Sequence, residues 1–422
     1  MHLSVKTGHA VPDASTQQLS KDSHNGTRIG LFGVFYPEYQ KCGNSTTGLA
    51  LALNSDPDVK SIDVFSQRDS EIPTTVGTQK LKLHETWAID RPLSLVVAAR
   101  RMFKFTDKLD SFIFNIHMTS FGTGRLVNGL GLLLPVLMRK VTRKQVLVYM
   151  HNFASTQDVS ALGYEKLSFL TLKSVSFLER TLLRSVEVIV PLESMAIGLE
   201  DKYGVRPRVI FLPYIEAMLS SIAYRNRRLP VAGSSAKRRK PHVLYFGHFG
   251  PQKDLGGAID LLENMLKSGQ ITCTIAGSVN MNFKDYIDVF RGIKCRLEGA
   301  GAAFDINVPE TDILRLVSSA DVVLLAYNAT GGYSGTMNTA AVCGALMVAT
   351  DLKQLRETAA ATQADVVFVP PQDYLAMKEA ILSQGARSLA NAKGDLSGLV
   401  DDSLTKLRHA VHSLVTIVNS KA

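Results

Sequence analysis

The feature that most constrains the fold is an alternation of short, apolar, β-rich runs with helical stretches that stops once and then restarts. In the first stretch the runs are Arg28–Phe35 (RIGLFGVF), Ser61–Phe65, Ser111–Ile116, Gln145–Met150 (QVLVYM) and Glu187–Val190. Helical periodicity predicts helices between them at Asn44–Asn54, Leu93–Phe105, Arg125–Lys140 and Leu162–Arg184, and a further one at Ser194–Lys202. Strands that alternate with helices build parallel βαβ units, and near-continuous apolar strands are buried on both faces. The pattern breaks near Leu212-Pro213 and begins again at Pro241. Strands are then expected at His242–Phe246, Ile271–Ala276, Asp321–Ala326, Leu346–Thr350 and Val366–Val369, and helices at Leu255–Lys267, Thr311–Ser319 and Thr336–Cys343. This predicts an α/β chain of two doubly wound, Rossmann-like domains. The divisions read as a disordered polar tail over 1–26, a first domain over 27–213, a basic linker over 214–240, a second domain over 241–402, and a C-terminal segment over 403–422. Its helix, Ser403–Val418, is expected to cross back to the first domain. A length of 422 residues suits two or three such units.

Composition excludes several alternatives. Hydrophobic residues make up 45% and charged residues 20%, as in an ordinary soluble protein. The N-terminus has no basic segment followed by an apolar core, so no signal peptide is expected. The longest apolar run, Leu130–Met138, is interrupted by Gly131 and Pro135 and is about half of what a spanning helix requires. Cys42, Cys273, Cys295 and Cys343 form no CxxC pair and read as small buried residues in a reducing compartment. A cytoplasmic protein is expected. The formal charge is +9, and no acidic residue occurs between Ala217 and Gln252, where Arg225, Arg227, Arg228 and Lys237–Lys240 cluster. With Gly233-Ser234-Ser235 in its middle, that run reads as a solvated linker, and anionic lipid is a second reading. Nucleic acid is disfavoured, because only Tyr224 interleaves with the basic residues.

Four constellations carry candidate chemistry. The first is Tyr245–Lys253 (YFGHFGPQK), where a strand ends in a glycine loop with Lys253 just before a helix. Glycine lets backbone approach phosphate oxygens, and a helix start plus an ammonium supplies positive potential. The second is Thr330–Thr339 (TGGYSGTMNT), three glycines with hydroxyl residues at a helix start, which makes an anion nest without the Walker spacing. The third is His151-Asn152 after QVLVYM, with His117 in the equivalent place after FIFNI; a strand-terminal histidine can hydrogen-bond a substrate from a cleft. The fourth is the glycine loop Tyr39–Ser45, with no GxGxxG. Each also has a structural reading, as an ordinary βα turn or a core histidine.

Together these runs resemble the family-4 retaining glycosyltransferases of GT-B architecture, over nearly all of residues 28–420. Gly247–Asp254 resembles the family's Gly-Arg-x-x-x-x-Lys-Gly loop, Ala340–Thr350 (AAVCGALMVAT) its Ala-x-Ala-x-Gly-x-Pro-Val-Val-Ala segment, and ADVVLLAYN its Ala-Asp-Val-x-Leu-x-Pro-Ser. His151 falls at its strand-terminal histidine and Cys42-Gly43 at its acceptor loop. The departures are His248 for the basic loop residue, Asp254 for glycine, and Gly331 and Thr339 at the positions of its paired glutamates. The resemblance implies transfer of a sugar, with retention, from a nucleotide-diphosphate sugar to a hydroxyl acceptor, lipid-linked or a growing glycan. It implies no cofactor and no bound metal. It places His151 and Lys253 in catalysis. Donor binding falls to Gly247, His248, Lys253, Gly332, Ser334, Gly335, Thr336 and Thr339, and acceptor binding to Gly43, Asn44 and His117. The missing glutamates leave open an inactive GT-B module that binds a nucleotide-sugar or a partner glycosyltransferase, and a phosphorylase or epimerase as a further reading. The segment Arg125–Lys144 has an apolar middle and a basic end. It reads either as a core helix whose basic end complements its dipole or as a helix lying peripherally on the anionic inner membrane face.

Overall fold

A computed structural model describes residues 26–35, 43–70, 80–158, 160, 162, 169–213, 240–253, 256–280, 283–306, 308, 310–390 and 396–420. The tail, Tyr39–Cys42, the linker up to residue 239 and Asp254-Leu255 lie outside the described residues.

The first sheet contains β1 (Thr27–Gly33), β2 (Val59–Gln67), β3 (Leu81–Trp87), β4 (Ser111–Ile116), β5 (Gln145–Met150), β6 (Glu187–Val190) and β7 (Arg208–Val209), in the order β3-β2-β1-β4-β5-β6-β7. The second contains β8 (His242–Phe249), β9 (Thr272–Val279), β10 (Ala303–Ile306), β11 (Val322–Leu325), β12 (Met347–Thr350) and β13 (Val366–Val369), in the order β10-β9-β8-β11-β12-β13. Every pairing in both sheets is parallel. Strand order reverses between β1 and β4, and again between β8 and β11. In open parallel sheets the ligand crevice lies outside the carboxyl ends at such reversals.

Alternation of side chains sorts the first sheet into two cores. Phe112, Phe114 and Ile116 of β4 and Val146, Val148 and Met150 of β5 point to one face. That face is covered by α2 (Pro92–Lys104), α3 (Arg125–Thr142), α4 (Phe169–Ser185) and α5 (Glu193–Tyr203). Ile113, Leu147 and Tyr149 point to the other face, covered by α1 (Gly43–Ser55) and the C-terminal helix Leu396–Asn419. Helix α3 passes close over Phe121 because Gly131 leaves no Cβ, which would sit 2.2 Å from that ring.

The second half carries α6 (Gly257–Lys267), α7 (Lys284–Gly299), α8 (Glu310–Ser319), α9 (Gly335–Val342), α10 (Lys353–Thr362) and α11 (Tyr374–Ala390) around its own core. The C-terminal helix, α12, then returns to the first sheet. Leu407, Val411, Leu414, Val415 and Val418 form its buried stripe, at the spacing of one helical face. Burying each such side chain contributes about 1.5–3 kcal/mol. Polar contacts fix its end: the Thr27 hydroxyl donates to Asn419 Oδ1 at 2.6 Å, and Gln145 Nε2 donates to the Ile417 carbonyl at 3.0 Å.

The structure differs from the periodicity in definable ways. The C-terminal helix starts at Leu396, seven residues before Ser403. Leu162 is in a turn, and the described part of the fourth helix begins at Phe169. Strands β3 and β10 were not expected, because as edge strands they are only half covered and carry charge, as in LKLHETW. Helices α7, α10 and α11 have no counterpart in the sequence expectations; α10, KQLRETAAAT, sets no apolar period because it buries only Leu355, Thr358 and Ala359.

Candidate functional site in the cleft

The second half contributes a buried ammonium. The βα turn after β8 brings Lys253 back against the sheet, where it forms an isolated bridge with Tyr327. Its side chain is only 6% exposed. Nζ donates to the Phe246 carbonyl at 3.0 Å and lies over the rings of Tyr327 at 4.8 Å and Phe249 at 5.4 Å. Among the described residues no carboxylate lies within ion-pair distance of it. Gly247 makes the approach possible, with φ of +125°; a Cβ there would stand 2.5 Å from Lys253 Nζ and 2.9 Å from Thr336 Oγ1. The ammonium, the Thr336 hydroxyl and the Gly247 backbone therefore converge at one place.

Thr336 belongs to the first turn of α9. Ser334 caps this helix, its Oγ accepting from Met337 N at 3.2 Å, so the Ser334 hydroxyl serves the helix itself. Gly335 and Thr336 have first-turn amides with no intrahelical acceptor, and these face the region with the positive end of the helix dipole. Thr339 lies further along, buried, without a carboxylate of its own. His248, next to Gly247, pairs Nδ1 with Ser278 Oγ at 2.8 Å. Its side chain reaches solvent, yet desolvation by the surrounding chain, and then the Lys253 ammonium, push its pKa below the ordinary value.

The Gly331–Tyr333 loop crosses to the first half. Gly332 has φ of +149° and packs so closely on β5's end that a Cβ would lie 2.7 Å from the His151 carbonyl oxygen. Gln157 Nε2 donates to the Gly331 carbonyl. Tyr333 sets its ring 5.8 Å from that of His151 and 5.9 Å from that of Phe211. His151 and the glycine loop thus occupy one cleft.

His151 is buried, and its surroundings determine its protonation. Nε2 lies 2.9 Å from Asn115 Oδ1 and 3.2 Å from Ser45 Oγ. The Asn115 amide donates to the hydroxyls of Ser45 and Thr46, at 3.2 and 3.0 Å, which leaves Oδ1 as the acceptor. That network assigns the imidazole proton to Nε2. Burial, with a smaller contribution from His117, pushes the pKa of His151 down to about 3. It is a neutral hydrogen-bonding group.

His117 follows β4, half-buried, and its Nδ1 accepts from Thr119 N at 3.1 Å. Gly43 opens α1, and the Asn44 side chain lies outside what is described. Ser45 and Tyr333 fall within two of the candidate constellations without an assigned role, whereas Asn115 and Tyr327 fall outside all four. A signal existed for Asn115, the one amide in the otherwise apolar run FIFNI.

Comparison with known proteins bears on this cleft. Residues 240–384 match the family model described as Glycosyl transferases group 1. No curated protein sequence matches the chain. Among solved structures, Anabaena Alr3699/HepE in complex with UDP and glucose superposes with a TM-score of 0.61 at 14% identity, covering 92% of this chain and 99% of its own. Sucrose-phosphate synthase from Thermosynechococcus elongatus gives 0.62 at 16%, covering 94% and 97%. An alpha,alpha-trehalose-phosphate synthase (UDP-forming) from Burkholderia vietnamiensis gives 0.58 at 11%, covering 94% and 100%. The chain therefore has the GT-B fold, two Rossmann-like halves facing one cleft, and its second half matches the group 1 glycosyltransferase model.

Proposed function

We propose that this protein transfers a sugar from a nucleotide-diphosphate sugar to a hydroxyl acceptor, lipid-linked or a growing glycan, with retention as the family resemblance implies. The observation that carries the reading is Lys253: a buried ammonium with one carbonyl acceptor and no carboxylate among the described residues. Buried charge is normally paired, so an anionic ligand is the natural completion. The structural neighbour HepE is found in complex with UDP and with UDP-glucose, which makes uridine donors the first to test.

In this reading the anomeric carbon–oxygen bond breaks as the acceptor oxygen bonds to the same carbon, negative charge builds on the departing diphosphate, and the acceptor hydroxyl's proton passes to that diphosphate. Lys253, the Thr336 hydroxyl and the first-turn amides of Gly335 and Thr336 stabilise that charge, with His248 at the edge of the site. No metal is required for this step, because the ammonium and the helix start supply the positive potential. Gly332 brings the donor loop against the first half. His151, neutral, orients the sugar or acceptor through Ser45 and its other neighbours, and acceptor binding is assigned to Gly43, Asn44 and His117.

The test is nucleoside diphosphate release from UDP-, GDP- and ADP-sugars in the presence of a lipid extract or oligosaccharide. Acceptor-dependent release supports transfer. Binding without release in any combination would leave an inactive nucleotide-sugar module, and Lys253→Ala with full turnover would remove the assignment of the phosphate site.

A further inference from the structure

Apolar exposure is unevenly distributed over the molecule. Eleven of the seventeen exposed large apolar side chains among the described residues stand on α2, α3 and α4. These are the neighbouring helices on one face of the first sheet. The most exposed of them occupy the first turns: Leu93 at 82%, Leu126 at 68%, Phe169 at 68% and Leu170 at 75%. In a parallel sheet each helix starts on the side where the preceding strand ends, so these first turns border the cleft. Two contacts hold the three starts together. Asp90 Oδ1, just before α2, accepts from Thr123 N, just ahead of α3, and Arg125 of α3 donates to Thr171 Oγ1 of α4 at 2.8 Å.

The charge on the same helices has one sign. Each carries three Arg or Lys residues, and their single acidic residue, Glu179, is 2% exposed and accepts from the Tyr203 hydroxyl at 2.7 Å. The basic groups gather toward the helix ends away from the cleft, as with Arg101 and Lys104 on α2 and Arg139 and Lys140 on α3. There Arg139 and Arg184 line an open pocket of about 230 Å³ with Gln145 and Ser185. Helix α3 is two-sided: Val127, Leu132, Leu134 and Met138 face the core, while Leu126, Leu130, Leu137 and Val141 face outward.

We propose that the outer face of α2, α3 and α4 docks on an anionic bilayer, with the apolar first turns inserted at the interface beside the cleft and the basic band against the headgroups. An apolar rim backed by cations and free of exposed carboxylates on its own helices matches that surface chemistry. Among the described residues no helix is long and apolar enough to cross a membrane, so the contact is interfacial. The inference rests on the transfer reading only for its consequence, that a lipid-borne acceptor reaches the cleft from the bilayer.

The test is sedimentation of the full chain with vesicles of phosphatidylcholine containing roughly one third phosphatidylglycerol. Binding is expected at low salt, weaker at high salt and weaker with pure phosphatidylcholine. The variant Leu126→Ser/Phe169→Ser/Leu170→Ser, at exposed positions, is expected to lose about tenfold or more of that binding. It should keep the wild-type circular dichroism and unfolding temperature, and the same diphosphate release with a soluble acceptor. Absence of binding to anionic vesicles, or full binding by the variant, overturns the proposal. So does a wild-type dimer that the variant splits without any vesicle binding, which would assign the face to a second copy. Vesicle binding lost in the variant, with no diphosphate release by the wild type from any donor, upholds the surface and sinks the transfer reading instead.

Discussion

Lys253 and His151 are both buried polar groups on facing sides of one cleft, yet they are buried in opposite senses. Lys253 sets its Nζ beneath aromatic rings with one carbonyl acceptor. His151 is neutral and held by Asn115 and Ser45. An incompletely satisfied cation stores a demand for an anion, whereas a satisfied neutral network fixes geometry. On the proposed reading, the second half binds charge and the first positions what meets it.

Replacing Lys253 breaks this contrast most severely. Lys253→Ala should lower kcat/KM by ~10²–10³, the range for removing a preorganised charge that stabilises a transition state. Lys253→Met should show the same kinetic loss without a fall in unfolding temperature, since an apolar side chain of similar length relieves the desolvation of the ammonium. A variant that is fully active, or one that is destabilised while binding UDP normally, would assign Lys253 to the core.

Gly332→Ala tests the join between the regions. The position is at φ +149°, and the new Cβ would stand 2.7 Å from the His151 carbonyl. Strain of about 1–3 kcal/mol is expected, with a roughly tenfold drop in kcat/KM as the loop lifts from β5. Gly331→Ala is the control, because its Cβ would meet Gln157 Oε1 at an ordinary 3.5 Å. Equal losses in the two variants, read from thermal unfolding and steady-state rates, would show that the close approach is unimportant.

His151 makes a pH prediction with a definite sign. Its folded pKa of about 3 lies below the ordinary 6.5, so below 6.5 the unfolded chain binds the proton and the folded chain does not. Its contribution to stability is full above pH 6.5 and falls as the pH drops from there toward 3, by about 1.4 kcal/mol per unit. His151→Gln should flatten this part of the acid limb in denaturant titrations between pH 6.5 and 4. It should also leave the shape of the rate profile near neutrality unchanged. A rate inflection near pH 6.5 that the substitution abolishes would make His151 an acid–base group and erase the distinction from Lys253.

How much of this the sequence displays depends on whether a residue acts through its own backbone or through partners distant in the chain. The central strands, such as QVLVYM and DVVLLAY, are legible because burial on both faces leaves continuous apolar runs. The glycine loops are legible for a similar local reason: Gly247 and Gly332 hold backbone angles that other residues resist. Edge strand β3 and helix α10 are not, since one-sided burial leaves too few apolar positions to set a period. The Asn115–His151–Ser45 network exists only because β4 and β5 pair in parallel and α1 starts beside them. Tyr333 gains its role from His151 and Phe211, residues of the other half.

The smallest expected effect comes from a clasp at the edge of the cleft. Glu357, on α10 of the second half, accepts from both the amide and the hydroxyl of Ser194 at 3.0 and 2.9 Å. Ser194 lies in the first turn of α5, so the carboxylate sits at the positive end of a helix from the opposite half. Glu357→Gln keeps the shape and removes the charge, a change of about 0.3–1 kcal/mol at such a position. If the clasp only biases the halves toward closure, KM for the donor should rise by roughly two- to threefold with kcat held, and the effect should shrink as salt is added. A loss in kcat approaching that of Lys253→Ala would mean that closure itself limits the chemistry. Charge binding and positioning would then be one coupled function of the closed cleft.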